Sequence, residues 1–438
     1  MVNYSEISDD YLDQLVYFLH SIKWIYTSLN TKYIEADVII ENKKFIEKLN
    51  LIDLNDFPTL SSPQNNHPEN LRKFIENVNR FRISFDTINT DCWKSTPVKK
   101  ISVKKQYEIE NVSKVIDEIC KGKVAQLIDF GSGLGYLDLY LHDKYGYTIL
   151  GLEGCDDRVE KAIKRQVEFH PKANGHVTYR QHFITEDSSE FILKQVGCDD
   201  KSPLAIFGLH GCGDLTVTAI KLFLKIDRVK NLIFMPCCYH KMTPTVPSGN
   251  NFNFFPLSQE LASTLSNYSS FLDRPFLRLA GQQSPAKWKE MSESEHWIHG
   301  KNMFERAMVE ALVEDDHESM KRINNISFLE NRVTMDDIVL KYKLLDKSSG
   351  TSKEWTESHH RRFKELREKY RDGEEMSEKL FCLQTTIQST CENLVLMDRI
   401  RFIEEEAKRK NLNFKISVKK LQNDKLSPRC LILIVEKL

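Results

Sequence analysis

The sequence predicts an α/β fold built on a mostly parallel sheet, with a helical N-terminal region and a helical insertion before the last two strands. Three observations predict it. Short β-branched runs (AQLIDF, YTILGLE, HVTYRQHFI, PLAIFGLH, NLIFMPCC) alternate with helical segments of roughly ten to twenty residues, the pattern of parallel strands joined by crossover helices. A glycine-rich turn, GSGLG, leads from the first of these runs into an amphipathic helix. Two further strand-like runs, NFKISVKK and CLILIVEKL, return at the end of the chain after a long helical stretch.

In chain order, apolar residues recur at helical spacing from Asp10 to about Thr90 (YLDQLVYFLHSIKWIY, LRKFIENVNRF), broken by the polar SSPQNNHPEN. Residues 1–95 therefore read as the helical N-terminal region, and residues 96–255 as the cofactor-binding part of the core. After Pro256 the strand signal stops. Residues 256–390 read as a mostly helical insertion on the substrate side, in which KEWTESHHRRFKELREKYRDGEE is a solvated helix laced with i,i+4 opposite charges. Residues 391–438 supply one more long helix (NLVLMDRIRFIEEEAKRK) and the final two strands that complete the sheet.

With 438 residues, 41% of them hydrophobic, the chain can bury a large core. Its formal net charge of −1 means that any affinity for nucleic acid must come from a local patch. The ten cysteines include no C-x-x-C pair, and the N-terminal MVNYSEISDD lacks the basic and apolar regions of a signal peptide. The longest apolar runs, LAIF and LILIV, fall far short of the roughly 20 residues that span a bilayer. A reduced protein of the cytoplasm or nucleus, with no membrane segment, is expected.

LIDFGSGLGYLDLYL carries the first functional signal. Gly131, Gly133 and Gly135 allow positive φ and close backbone approach to a ligand, while the helix that follows offers unpaired N–H groups. Glu153 ends the next strand about 20 residues further on, where a carboxylate can accept both hydrogen bonds of a ribose diol. The spacing differs from the dinucleotide fingerprint, and Asp129 stands just before the turn. This combination looks like the S-adenosylmethionine site of class I methyltransferases, a Rossmann-like fold, in which the acid before the loop helps hold the methionine amino group. The candidate cofactor residues are Asp129, Gly131, Ser132, Gly133, Gly135, Tyr136, Glu153 and Gly154. Thr185 and Glu186, in HFITEDSSE at the end of the third strand, are candidates for the adenine contact; capping of the next helix by Thr185 and Ser188 is the competing reading.

GLHGCGDLT ends the fourth core strand and PCCYHKMT the fifth, so both converge on the edge where an open parallel sheet binds ligands. His210, Cys212, Cys237, Cys238 and His240 include the ligand types of zinc, yet structural zinc draws paired ligands from separate knuckles and the spacing here is H-x-C with C-C-x-H. No metal is expected on that ground. Nor is a nucleophilic cysteine, because a sulfonium methyl donor is already activated. The preferred reading makes Cys212, Cys237 and Cys238 small residues of a substrate-side wall, with Asp214, His210 and His240 as candidate acid–base residues.

DFGSGLGYL, GLEG, GLHGCGDL, PCCYHKM, NFFPLSQE, LMDRIRFIEEE and LSPRCL, in that order, resemble the methyltransferase-like protein 25 family, which includes a relative named for a ribosomal RNA adenine dimethylase domain. The resemblance covers roughly residues 100 to 438. The family typically carries K-K-x-H-E before the first core strand; here Lys104, Lys105 and Glu108 match it, with Tyr107 in place of the histidine. More distantly, the pairing of a C-G-D-like segment with C-C-x-H is similar to tRNA methyltransferases that modify a ribose 2′-hydroxyl. The N/D-P-P-Y/F motif of adenine-amino methyltransferases is absent. The resemblance implies a methyltransferase using S-adenosylmethionine with RNA as acceptor. Lys99, Lys100, Lys104, Lys105, Lys241, Arg399 and Arg429 are its candidate substrate-side cations. A protein methyltransferase and a catalytically inactive cofactor-binding scaffold are the alternatives.

Overall fold

The computed structural model describes residues 2–438 except 4–6, 9, 29–30, 92, 95–100, 198–200, 248, 283–284, 314–316 and 325–331. Lys99 and Lys100 lie outside the described residues. Eight strands form the central sheet: β1 (Asp86–Ile88), β2 (Gln126–Phe130), β3 (Ile149–Glu153), β4 (Val177–Gln181), β5 (Leu204–Gly211), β6 (Val229–Pro236), β7 (Phe414–Leu421) and β8 (Leu431–Lys437). Their spatial order is β1-β7-β8-β6-β5-β2-β3-β4. Strands β2 to β6 are parallel to their neighbours in that block, and β8 runs antiparallel to both β6 and β7. The strand order reverses at β2, between β3 and β5, which opens the crevice where such sheets bind ligands.

Strands covered on both faces must be apolar throughout, and β2, β3 and β6 accordingly read as near-continuous hydrophobic runs. Alternate residues serve opposite layers. On one face Leu127, Ile149, Phe207 and Ile233 pack with α3 (Val103–Cys120), α4 (Tyr136–Tyr145) and α5 (Asp156–Phe169). On the other, Ile128, Leu150, Ile206 and Phe234 join one continuous core with α6 (Leu215–Lys225), the N-terminal helices α1 (Tyr11–Ser21) and α2 (Glu69–Arg80), and the helical block. Each fully buried side chain of this size contributes about 1.5–3 kcal/mol relative to exposure.

Residues between β6 and β7 hold α7 (Arg274–Ala280), α8 (Glu293–Leu312), α9 (Glu357–Lys369) and α10 (Gly373–Lys410). The 38-residue α10 runs unbroken through position 390, so the boundary expected there falls inside a helix. Much of α10 is buried on all sides, and its polar groups find partners in distant segments: Gln384 donates to the Ile25 carbonyl (2.9 Å), Asn393 to Phe81 (3.0 Å) and Gln388 to Ala280 (2.8 Å). The expectation that strands stop after Pro256 is corrected by a small antiparallel sheet of Glu318–Arg322, Tyr342–Asp346 and Ser352–Lys353. Its turn residues, DKSSG, were its only local signal. No helix among the described residues is long and apolar enough to cross a membrane.

Candidate active site

The chain turns sharply after β2. Gly131, Gly133 and Gly135 all take positive φ (85°, 57° and 71°), and the N–H groups of Gly131 and Ser132 donate to the Leu152 carbonyl at 2.8 and 3.1 Å. The loop thus curls over the end of β3. At Gly135 an added Cβ would lie 2.2 Å from the Tyr179 hydroxyl, so that glycine is demanded by packing. At Gly133 the nearest atom to such a Cβ is the Gly131 carbonyl oxygen at 3.9 Å, which leaves open space for a ligand.

Glu153, 8% exposed, closes this space. Its Oε2 accepts from the Gly133 N–H (3.0 Å) and its Oε1 from the Cys155 N–H (3.1 Å), with the Arg158 guanidinium at 3.6 Å. Two backbone donors fix the carboxylate and leave acceptor capacity for a diol. Below it, Asp129 and Asp138 are both buried, and Asp129 Oδ1 and both Asp138 oxygens have no hydrogen-bond partner among the described residues. Burial, and then the neighbouring Asp138, push Asp129 well above the ordinary carboxylate range; burial raises Asp138 to about 7. Two orphaned buried acids suit an ammonium group, which would neutralise them. Ser132 Oγ is likewise buried without a partner. The Phe183 ring stands 77% exposed, with Cδ2 only 3.3 Å from where a Gly154 Cβ would sit, as an apolar platform at the edge where the adenine is expected.

The opposite wall is built from β5 and β6. A register irregularity between Leu209 and Gly211 makes His210 the bulged residue, at φ 68°, a conformation uncommon for a non-glycine residue. This turn aims its Nε2 at Glu108 Oε2 on α3, 3.0 Å away. Glu108 is 1% exposed and also accepts from Ser427 (2.7 Å). Burial alone would raise its pKa, but His210, then Ser427 and Lys104, hold the carboxyl below its ordinary value. The loops after the two strands clasp each other: the Gly213 N–H donates to the Cys238 carbonyl (3.2 Å), and a Cβ at Gly213 would come within 2.7 Å of the Lys241 carbonyl oxygen. That contact brings Cys212 Sγ to 3.1 Å from Cys237 Sγ, itself 3.5 Å from Cys238 Sγ.

His240 projects beside this cluster with its Nδ1 buried and without a hydrogen-bond partner among the described residues. Burial, then the positive charges of Arg278, Lys241, Arg429 and Arg274, lower its pKa below the ordinary histidine value, so it is neutral at pH 7. It opens onto a cleft of about 930 Å³ whose lining includes Arg278, Lys287, Arg306 and Arg429 together with His299 and Phe381.

Several expected residues stand elsewhere. Asp214 accepts from the Thr243 N–H with both oxygens (3.3 and 3.1 Å) and so braces the PCCYHKMT loop. Glu186 pairs with Lys221 (2.6 Å), while the Thr185 N–H donates to Ser188 Oγ (2.9 Å). Tyr136 lies between Lys105 (4.0 Å from its ring centre) and Arg165 (3.8 Å), so Lys105 sits against the start of α4 rather than at the cleft. Arg399 corrects the expectation of a substrate-side cation: it is fully buried, donates to the Val395 carbonyl (2.7 Å) and packs over Tyr239, because its long side chain fills the core behind the PCCYHK loop. Tyr107 accepts from the Asn423 N–H (2.9 Å) and pins the β7–β8 connection to α3. The sequence reading did not single out Asp138, Phe183 or Arg278. Asp138 left a trace, as a charge flanked by Leu137 and Leu139, and the other two left none.

Residues 104–245 match the family model described as a methyltransferase domain. The fold, the glycine loop with its carboxylates and this match define a methyltransferase domain of the class I, Rossmann-like kind, and S-adenosylmethionine is its cofactor. Solved structures similar to the chain include the methyltransferase domain of bacterial CtHen1, at 17% identity, covering 30% of this chain and 65% of that one with a TM-score of 0.23. The plantazolicin methyltransferase BamL, in complex with a triazolic desmethylPZN analog and SAH, is 13% identical over 76% of this chain and 84% of its own (TM-score 0.25). Coclaurine N-methyltransferase bound to N-methylheliamine and SAH is 11% identical over 92% and 98% (TM-score 0.26). The chain spans 65% of the length of the CtHen1 domain and 37% of that of EvdMO1. Likenesses this distant have no bearing on the acceptor.

Proposed function

We propose that the chain is an S-adenosylmethionine-dependent methyltransferase of the methyltransferase-like protein 25 kind, acting on RNA inside the cell. The observation that carries the acceptor is the cleft at His240. Four cationic side chains, Arg278, Lys287, Arg306 and Arg429, line a space of about 930 Å³ that also holds His299 and Phe381, and cations beside rings are what a flexible phosphate backbone with splayed bases requires. A chain of formal net charge −1 that gathers positive charge here supports the same reading.

S-adenosylmethionine, when bound, supplies a methyl group already activated on a sulfonium. The protein's part is alignment and proton transfer. Glu153 would hold the ribose diol, the Asp129 and Asp138 carboxyls the amino group, and Phe183 one face of the adenine. Neutral His240 would take the proton from the attacking acceptor atom, while Glu108 fixes His210 in the opposite wall.

A tritiated-methyl assay on total RNA and on protein lysate, preceded by calorimetry with S-adenosylmethionine, tests this. Label in RNA is expected. Label in protein alone would replace RNA with a protein acceptor, and cofactor binding without any labelled product would point to a scaffold.

A further inference from the structure

The Cys212, Cys237 and Cys238 sulfurs come from two neighbouring strand ends and all lie within 4.8 Å of one another. Two of the separations are 3.1 and 3.5 Å. A tetrahedral zinc site with bonds of about 2.3 Å sets its sulfurs about 3.8 Å apart, so small rotamer adjustments would seat an ion. We propose that these three cysteines form a three-thiolate Zn²⁺ site that ties the end of β5 to the end of β6. The spacing argument against zinc fails here because it considers ligands along the chain, whereas a parallel sheet places the ends of neighbouring strands side by side.

Two further observations agree. Cys237 is 2% exposed while Cys212 and Cys238 are half-buried, so the cluster is anchored in protein yet reachable from solvent. Among the described residues no histidine or carboxylate joins the group, so the protein supplies three ligands and the fourth position is left to water or another exogenous donor. Binding moves no electrons: each cysteine that is still protonated releases its proton to the buffer as its sulfur bonds the metal, so affinity rises with pH. A disulfide would join only two of the sulfurs and leave the third unexplained. The metal's role is to fix the loops that carry His210 and His240, whatever the acceptor.

The test uses the full chain, expressed with zinc in the medium and purified without chelator. One equivalent of zinc per chain is expected. Replacement by Co²⁺ should give a thiolate-to-cobalt charge-transfer band and the intense visible bands of a tetrahedral site. Cys212→Ser and Cys238→Ser should each lose most of the metal, whereas Cys155→Ser should keep it. Where a variant fails to fold, alkylation of the parent protein gives the same answer: zinc should protect three thiols, and a chelator should expose them. Metal far below one equivalent with no cobalt charge-transfer band, unchanged metal in both variants, or a Cys212–Cys237 disulfide found by mass spectrometry under non-reducing conditions would each overturn the site.

Discussion

The two halves of the site are assembled differently. The cofactor half comes from consecutive strand–loop units between Asp129 and Glu186, each ending at the same sheet edge. The proposed acceptor half draws on Glu108 from α3, the ends of β5 and β6, Arg278 from α7, α8 and α10 from the helical block, and Arg429 beside β8. The first half is a local pattern repeated; the second exists only after segments hundreds of residues apart have docked. A substitution in the first should therefore change binding of the cofactor, and one in the second should change turnover while binding persists.

The largest effect is expected at Gly133. Gly133→Arg would strain a backbone at φ 57° and fill the open space beside it, abolishing binding of S-adenosylhomocysteine while circular dichroism still shows a folded chain. Calorimetric affinity equal to the parent's would move the cofactor elsewhere and erase the distinction between the halves. Glu153→Ala removes charge-assisted hydrogen bonds worth roughly 1.5–3 kcal/mol each, and the dissociation constant should rise about 10- to 1000-fold given incomplete additivity.

On the acceptor side, His240→Ala should lower methyl transfer about 100-fold while cofactor affinity stays within a few-fold, the separation expected on losing a positioned base. Full turnover would remove His240 from that role. A smaller effect concerns pH. A base whose pKa is lowered stays unprotonated further into acid, so the acid limb of kcat should fall below pH 6.5. Arg278→Ala, which removes one of the positive charges behind the shift, should move that limb upward by a fraction of a pH unit.

The smallest effect lies in stability. A carboxyl whose folded-state pKa is raised binds its proton more tightly folded than unfolded; the stability this gives is complete below 3.8 and is lost as pH rises through about 7. The melting temperature of the cofactor-free chain should therefore decline as pH rises through this window. Asp138→Asn should reduce the decline, and S-adenosylmethionine should offset it by bringing an ammonium to the acids. A pH-independent melting temperature would mean that the two acids already have a counter-charge.

How much of this was written in the chain can be argued residue by residue. Alternating apolar runs and helical segments specify which residues can be buried on a sheet and which on a helix, so the strands β2 to β8 and the order of the fold follow from period and turn chemistry. Gly131, Gly133, Gly135 and Glu153 are legible for the same reason: positive φ and a strand-end carboxylate are local demands, met by residue type and spacing alone. The small sheet of the insertion was hidden because its strands are short and charged, and burial against neighbours outweighs their weak intrinsic preference.

What only the tertiary structure decided is which distant groups share one dielectric and one volume. Arg399 reads as a surface cation in the sequence and becomes a buried strut behind Tyr239, because α10 is covered on all sides. Glu108 acquires His210 as its partner through the bulge at the end of β5. Cys212 meets Cys237 and Cys238 because Gly213 lets two loops approach more closely than any side chain would permit. Periodicity encodes burial, a property of each residue and its near neighbours. Charge, metal affinity and proton transfer depend on distance through space, and the sequence does not carry that distance until the sheet and its insertion have closed around one another.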